Sequence, residues 1–138
     1  CFYRRYQCKD TADASEKLRN TYIAAARTGK MSMLARMFTI RISQPDSGLD
    51  LLCCIPVEDD FMGEERMEFA ETPALCIYYR GAYEGIGNAI HALNTYVESN
   101  QIRTTGGIRS IYLEGPPNRG ANSSDYITQV AVPVASLT

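Results

Sequence analysis

The sequence predicts an α+β fold built from two copies of a strand–helix–strand–strand unit. Apolar residues recur with strand spacing, then helix spacing, then strand spacing twice more, and this whole order occurs two times. The chain of 138 residues is 45% hydrophobic and 22% charged, which is ordinary for one globular domain. Because a small sheet cannot cover both of its own faces, we expect an antiparallel sheet with both helices on one face and a concave seam between the halves.

The first copy spans about residues 1–57 and begins with an extended segment, Phe2–Gln7. Asp10 supplies N-cap chemistry for a helix that is expected to end near Gly29. The apolar stripe of this helix is expected to contain Ala14, Leu18, Tyr22 and Ala25.

Two further strands complete the first copy. In one of them Phe38, Ile40 and Ile42 alternate with Thr39, Arg41 and Ser43, so we expect the polar set to face away from the helix. A turn leads to the last strand, Leu51–Val57, in which Leu52 and Cys54 are expected to face away from the helix as well. An acidic connector over residues 58–68 follows and reads as a solvated loop.

The second copy spans about residues 69–138 and begins with the strand Ala74–Arg80. Gly81 and Gly85 flank the start of a helix, and Gly106-Gly107 interrupts the chain between this helix and the next strand. The stripe of this helix is expected to contain Ile86, Ala89, Ile90, Leu93, Tyr96 and Val97. The strand Ile108–Glu114, a loop over residues 115–125 and the strand Tyr126–Val134 complete the copy.

Four short matches in the same order support the duplication. They pair Phe2-Tyr3-Arg4 with Tyr78-Tyr79-Arg80, Asn20-Thr21-Tyr22-Ile23 with Asn94-Thr95-Tyr96-Val97, Thr39-Ile40-Arg41-Ile42 with Ser110-Ile111-Tyr112-Leu113, and Ile55-Pro56-Val57 with Val132-Pro133-Val134. Each match alone is weak, but their common order predicts one repeated supersecondary unit.

Strand alternation then assigns side chains to faces. We expect Ile111, Leu113, Val130 and Val132 under the helices, and Ser110, Tyr112, Glu114, Gln129 and Ala131 on the helix-free face. The candidate ligand-binding residues are Tyr78, Ile86, Tyr112, Glu114, Tyr126 and Gln129. Ordinary packing is an equal alternative for Tyr112 and Tyr126. The alternative for Ile86 is a position in the core, and the alternative for Glu114 is that of a solvated carboxylate in a loop.

Charge and cysteine content exclude several classes of function. The net charge is −2, whereas a main nucleic-acid contact needs a basic surface. The apolar runs fall far below the roughly 20 residues of a membrane span, so we expect no membrane partner. Five cysteines without a Cys-x-x-Cys pair and one solvent-facing histidine, His91, predict reduced, buried thiols in a cytoplasmic protein, with no metal and no cofactor.

The segment Pro73–Tyr83, the helix end Leu93–Val97 and the closing strand Asp125–Val134 resemble the GyrI-like small-molecule-binding domain of MerR- and AraC-type transcription regulators. The resemblance implies a duplicated fold whose groove binds apolar, often cationic, aromatic compounds against aromatic side chains and a carboxylate. It also implies a DNA-binding region and a dimerisation helix outside this chain. In one respect the sequence departs from the family pattern, because Gln129 stands where the last strand usually carries a glutamate.

These observations predict a ligand-sensing domain of a multidrug-responsive bacterial regulator. Its partners would be a small apolar aromatic compound, neutral or cationic, DNA through a missing N-terminal domain, and a second copy in the full-length protein. Because the chain begins at Cys1, we expect it to be part of a longer protein. One alternative is a hydrolase in which Glu114 polarises water and Tyr112 or Tyr126 donates a proton. Another is an inhibitory interaction module that uses an edge strand or the acidic connector.

Overall fold

The computed structural model describes residues 1–32, 36–43, 48–69, 72–114, 124 and 126–135, with the side chains of Ser43 and Glu114 outside the described part. The chain divides into two compact units, Cys1–Ala70 and Glu71–Thr138, called unit 1 and unit 2. Each unit packs one helix against three antiparallel strands, which confirms the α+β fold class. The ligand groove expected between the halves stays a prediction.

Unit 1 contains, in chain order, β1 (Phe2–Cys8), α1 (Thr11–Arg27), β2 (Phe38–Ser43) and β3 (Leu49–Ile55). The last strand, β3, lies in the middle because it pairs antiparallel with both β1 and β2. The Asp10 side chain accepts a hydrogen bond from the backbone N–H of Asp13 at 2.8 Å, so the predicted N-cap is confirmed. Gly29 follows the helix with a φ of 72°, as a helix stop requires.

Unit 2 repeats this order with β4 (Ala74–Arg80), α2 (Ile86–Ser99), β5 (Arg109–Glu114) and β6 (Ile127–Pro133). A 3₁₀ turn, Tyr83–Gly85, precedes α2. Here too the last strand, β6, is central and pairs antiparallel with β4 and β5. The two units therefore share element order and strand order; the duplication that would explain this stays a prediction.

The cores use slightly different helix positions from those expected. Leu18, Thr21 and Ala25 are the buried residues of α1, and Ile86, Ile90 and Leu93 are those of α2. Tyr22 and Tyr96, expected in these stripes, are wrong as core residues because their exposed fractions are 37% and 53%. In unit 2 the helix packs on Val130, Val132 and Val134, and Val130 and Val132 were expected there.

The acidic connector is more ordered than a solvated loop. Tyr3 donates its backbone N–H to the carbonyl of Glu65 at 3.1 Å, and Met67 donates to the carbonyl of Cys1 at 2.9 Å. The Glu65 carboxylate also accepts two hydrogen bonds from the Arg4 guanidinium, at 2.6 and 3.3 Å. Residues 65–67 thus lie along the outer edge of β1 as a short added strand.

Candidate functional site

The faces of β5 differ from the expectation. Tyr112 packs against the core cluster under α2, and its partner across the sheet is the buried Thr128. Ile111 instead stands opposite Gln129, on the other side of the sheet. The expectation that Ile111 lies under the helix and Tyr112 on the helix-free face is therefore wrong.

The same inversion occurs in β2 of unit 1. Thr39 is 5% exposed and stands opposite Cys53, which contacts Thr21 of α1, so Thr39 faces the helix. Arg41, two residues on, shares that face, whereas Ile40 is opposite Leu52 on the helix-free face. The assignments made for β3 and β6, with Leu52 and Gln129 away from the helices, agree with the structure.

Tyr112 and Tyr126 join a third tyrosine that the candidate set did not include. The rings of Tyr83 and Tyr112 meet edge to face with centroids 5.2 Å apart, and Tyr83 and Tyr126 are 5.1 Å apart. We call Tyr83, Tyr112 and Tyr126 the aromatic corner. Ile86, the first residue of α2, is only 7% exposed and belongs to the core cluster, which is the alternative that the sequence left open for it.

Burial sets the electrostatics of the aromatic corner. It raises the pKa of Tyr83 to about 12, with a smaller contribution from Tyr126. A phenol held this firmly in its neutral form donates hydrogen bonds at neutral pH but does not act as a base. The corner is thus a packed, neutral aromatic support behind the sheet.

The turn before α2 holds this corner in place. Tyr79 donates its hydroxyl to the carbonyl of Ala82 at 2.8 Å. Gly81 has a φ of 140°, and a Cβ there would lie 2.9 Å from the Tyr79 hydroxyl. A Cβ on Gly85 would clash with the same hydroxyl. The two glycines are needed so that the tyrosine ring can approach the backbone.

Two other candidates lie next to each other on the helix-free face of unit 2. Tyr78 and Gln129 are directly opposite in the pairing of β4 with β6, which places their Cβ atoms about 5 Å apart. Tyr78 is 70% exposed, and Ile111 stands on the far side of Gln129. An exposed phenol, a primary amide and an aliphatic group therefore form one row across three strands.

The neighbouring rows of this face carry positive charge. Arg80 follows Tyr78 by two residues in β4, and Arg109 stands opposite Ala131, two residues from Gln129. The backbone of Glu114 is opposite Ile127, but its side chain lies outside the described residues, as does most of the loop after it.

Unit 1 has a helix-free face of different character. Leu52 and Cys54 are buried there, with Ile40 and Phe38 opposite them on β2. Asp50 lies on the same face and is only 4% exposed, a feature that the sequence analysis missed. The sequence signal for this feature was an acidic residue at the start of an otherwise apolar strand, because a carboxylate is rarely buried without a compensating partner.

The partner of Asp50 is Arg5. The guanidinium donates from Nε to Oδ1 at 3.1 Å and from Nη2 to Oδ2 at 2.7 Å, a bidentate ion pair. The two partners differ in exposure, since the Arg5 side chain is 58% exposed and that of Asp50 only 4%. The carboxylate raises the pKa of Arg5 above its ordinary value.

Thiol and histidine chemistry is inconspicuous in the described part of the chain. All five cysteines are free; Cys8, Cys53 and Cys54 are buried, as expected, whereas Cys76 is exposed. Burial raises the pKa of Cys53 to about 12, so this thiol is unreactive at neutral pH. His91 is exposed, as predicted. The described residues contain no group of ligands that could hold a metal ion, and no helix among them is long and apolar enough to cross a membrane.

The geometry defines an α+β fold with two helix-free sheet faces, one with an exposed tyrosine beside an amide and two arginines, the other apolar with a buried carboxylate. The family model of the GyrI-like small molecule binding domain matches residues 9–135. The chain therefore belongs to the GyrI-like family. A comparison with curated proteins finds no match.

Solved structures with the same fold include EcmrR, alone and in complex with DNA, and SAV2435 bound to tetraphenylphosphonium. The EcmrR C-terminal domain has a TM-score of 0.80 at 20% identity, covering 98% of this chain and 90% of that one. EcmrR in its DNA complex has a TM-score of 0.79 at 20% identity, and the match covers 98% of this chain. This chain spans only 53% of the EcmrR chain in that complex. SAV2435 bound to tetraphenylphosphonium has a TM-score of 0.63 at 16% identity, and the match covers 99% of this chain and 87% of SAV2435.

A more distant neighbour is described as a hydrolase from Listeria innocua. Its TM-score is 0.53 at 16% identity, covering 96% of this chain and 85% of that chain. At these identities the likeness of all three proteins establishes the fold and leaves the chemistry to the residues themselves.

Proposed function

We propose that this chain is the ligand-sensing domain of a cytoplasmic bacterial transcription regulator. It binds a small apolar aromatic compound on the helix-free face of unit 2. The observation that carries the proposal is Tyr78, a large aromatic side chain that is 70% exposed beside Gln129 on the sheet of a small-molecule-binding family. A flat ligand stacks on the phenol ring, and the Gln129 amide satisfies one polar group of the ligand.

The ligand in this proposal is neutral. Gln129 offers hydrogen bonds but no charge, and Arg80 and Arg109 lie in the adjacent rows of the same face. A cation next to Gln129 would lose hydration, and the amide carries no charge to compensate that loss. The aromatic corner and Ile86 support the sheet from behind, and we do not assign them ligand contacts.

Binding is the proposed activity, and catalysis is not part of it. The hydrolase alternative needs a carboxylate beside a tyrosine donor, but the Tyr112 ring packs on the helix side and the Tyr126 ring packs on Tyr83. A region outside this sequence would contact DNA, and the similarity to EcmrR in its DNA complex supports this part of the proposal. A second copy of the full-length protein would form a homodimer with the first. Ligand binding would act by shifting the population of regulator conformations.

The test is the affinity of Tyr78→Ala for a neutral triaryl compound, triphenylphosphine oxide, measured by calorimetry. Loss of one stacking partner should weaken binding roughly tenfold, which corresponds to about 1.4 kcal/mol. Tyr96→Ala is the matched control, because Tyr96 is also a strongly exposed tyrosine (53%) but lies on α2. Equal affinities for the two variants would remove Tyr78 from the site.

A further inference from the structure

We infer that the groove between β1 and α1 of unit 1 is a separate binding site, which takes a small carboxylic acid with an apolar body. Its volume of about 530 Å³ is typical of sites that hold small organic molecules. The groove is lined by Arg4, Asn20, Ile23, Ala24 and Arg27. All of these residues belong to unit 1, so the inference does not depend on the site proposed for unit 2.

One wall of the groove is a stripe of α1 that the core does not use. Positions 20, 23, 24 and 27 recur at helical spacing and therefore lie on one side of the helix, next to its buried residues. Ile23 is 37% exposed and Ala24 is half-buried, so the middle of this wall offers apolar surface. Asn20 and Arg27 lie at its two ends. The wall thus suits an apolar body that carries a polar group at its end.

Arg4 reaches the groove from β1. It stands opposite Cys53, which contacts Thr21 of α1, so its side chain lies on the helix side of the sheet. The Glu65 carboxylate accepts hydrogen bonds from Nε and Nη2 of Arg4, and Tyr6 is a further hydrogen-bond partner. The two charged side chains are 38% and 45% exposed. Because an ion pair so accessible to water is weak, a ligand carboxylate can share this guanidinium with Glu65 at low cost.

Arg27 supplies the second cation of the groove. It is exposed in the last turn of α1, and the salt bridges between described residues do not include it. A basic residue at that position stabilises a helix by itself, so the evidence for a site is the groove that joins Arg27 to Arg4. The two guanidinium groups and the Glu65 carboxylate leave one positive charge. A single ligand carboxylate neutralises it with charge-assisted hydrogen bonds.

The experiment measures by calorimetry the affinity of the naphthoate anion and of neutral naphthamide, which has the same ring system without the charge. Arg27→Gln should weaken naphthoate binding about fivefold and leave naphthamide binding unchanged, since only the anion interacts with the lost cation. Arg19→Gln is the matched control, because Arg19 is also an exposed arginine of α1 but does not line the groove. Equal affinities of the two variants for naphthoate would overturn the inference.

Glu65→Gln gives the reverse expectation. It should tighten naphthoate binding about threefold, because Arg4 no longer shares its guanidinium with another carboxylate. Glu64→Gln makes the same change of charge at the exposed neighbouring residue and should bind naphthoate like the unchanged chain. No gain in Glu65→Gln relative to Glu64→Gln would exclude Arg4 from the site and overturn the inference.

A competition experiment separates this groove from the site proposed for unit 2. Triphenylphosphine oxide at saturation occupies the unit 2 site, so the affinity for naphthoate should stay the same in its presence. Loss of naphthoate binding under these conditions would place the anion on unit 2 and overturn the inference. If naphthoate does not bind the unchanged chain while triphenylphosphine oxide does, this inference fails and the proposed function stands.

Discussion

Single residues show how the environment determines which groups are available for chemistry. Asp50 and Gln129 both lie on helix-free sheet faces, but one is a buried carboxylate with a guanidinium partner and the other a half-buried neutral amide. Tyr83 and Tyr96 differ in the same way, one inside an aromatic corner and the other exposed on α2. The residue type alone could not separate these cases, because burial and neighbours come from the fold.

Alkaline pH should reveal the state of Tyr83. Because its pKa is raised to about 12, well above the value near 10 of an unfolded tyrosine, the folded state favours the neutral phenol. This contribution to stability is fully present below pH 10 and is lost as the pH rises toward 12. We expect the fall in the free energy of unfolding between pH 9 and 11.5, measured by urea titration, to be smaller in Tyr83→Phe. A slope in Tyr83→Phe that equals that of the unchanged chain would contradict this assignment.

The amide of Gln129 should be replaceable by a carboxylate with a change of ligand preference. Gln129→Glu restores the acid that the family pattern usually has at this position, next to the exposed ring of Tyr78. The affinity ratio of tetraphenylphosphonium to triphenylphosphine oxide should rise about tenfold at pH 7, since the new charge interacts only with the cation. A ratio that does not move, with binding of the neutral compound retained, would place the ligand away from Gln129.

At the scale of elements, the prediction of which side chains face the helix was right for the third strand of each unit and wrong for the second. The faces of β3 and β6 agree with the prediction, whereas β2 and β5 have the inverse phase. Both of these strands contain a register shift, between Arg41 and Ser43 and between Tyr112 and Glu114. These shifts lie after the wrongly assigned residues and do not explain them; apolar residues occupy both faces of each strand, so hydrophobic periodicity could not fix the phase.

The two helices were also aligned with each other in a register that their buried residues do not share. The buried stripe of α1, Leu18, Thr21 and Ala25, has the same spacing as Ile90, Leu93 and Val97 in α2. The sequence match that pairs Tyr22 with Tyr96, both exposed, is displaced from this spacing by two positions. Similar residues on the exposed part of a helix therefore do not fix how the two helices align.

The turn into α2 provides a test at this scale. Gly85→Ala should lower the free energy of unfolding by about 1–3 kcal/mol, because the new Cβ clashes with the Tyr79 hydroxyl and forces the Tyr79 ring to shift. Gly87→Ala is the matched control, since nothing lies within 4 Å of its Cβ and alanine is the better helix residue. Urea titration of both variants measures the difference. The result expected for Gly87→Ala is equal or greater stability, and similar stability in Gly85→Ala would show that the contact is not tight.

At the scale of the whole molecule, composition and pattern were sufficient for the fold class and for nearly all the elements. The strand β4 was predicted with its observed bounds, Ala74–Arg80, because its β-branched and aromatic residues end at a glycine. The candidate site was harder to predict. Tyr78 and Gln129 are neighbours only through the pairing of β4 with β6, and Asp50 meets Arg5 only through β1 and β3. Such contacts join residues far apart in the chain, so no local pattern contains them.

The short strand formed by residues 65–67 has a consequence for how the molecule behaves in a crowded cell. Open β-edges recruit other chains, and Cys1 and Tyr3 would otherwise offer their peptide groups to any passing extended segment. Here residues 65–67 of the acidic connector pair with this edge of β1, and the Glu65–Arg4 ion pair holds them there. The acidic connector between the two units is therefore expected to protect the molecule against edge-to-edge self-association.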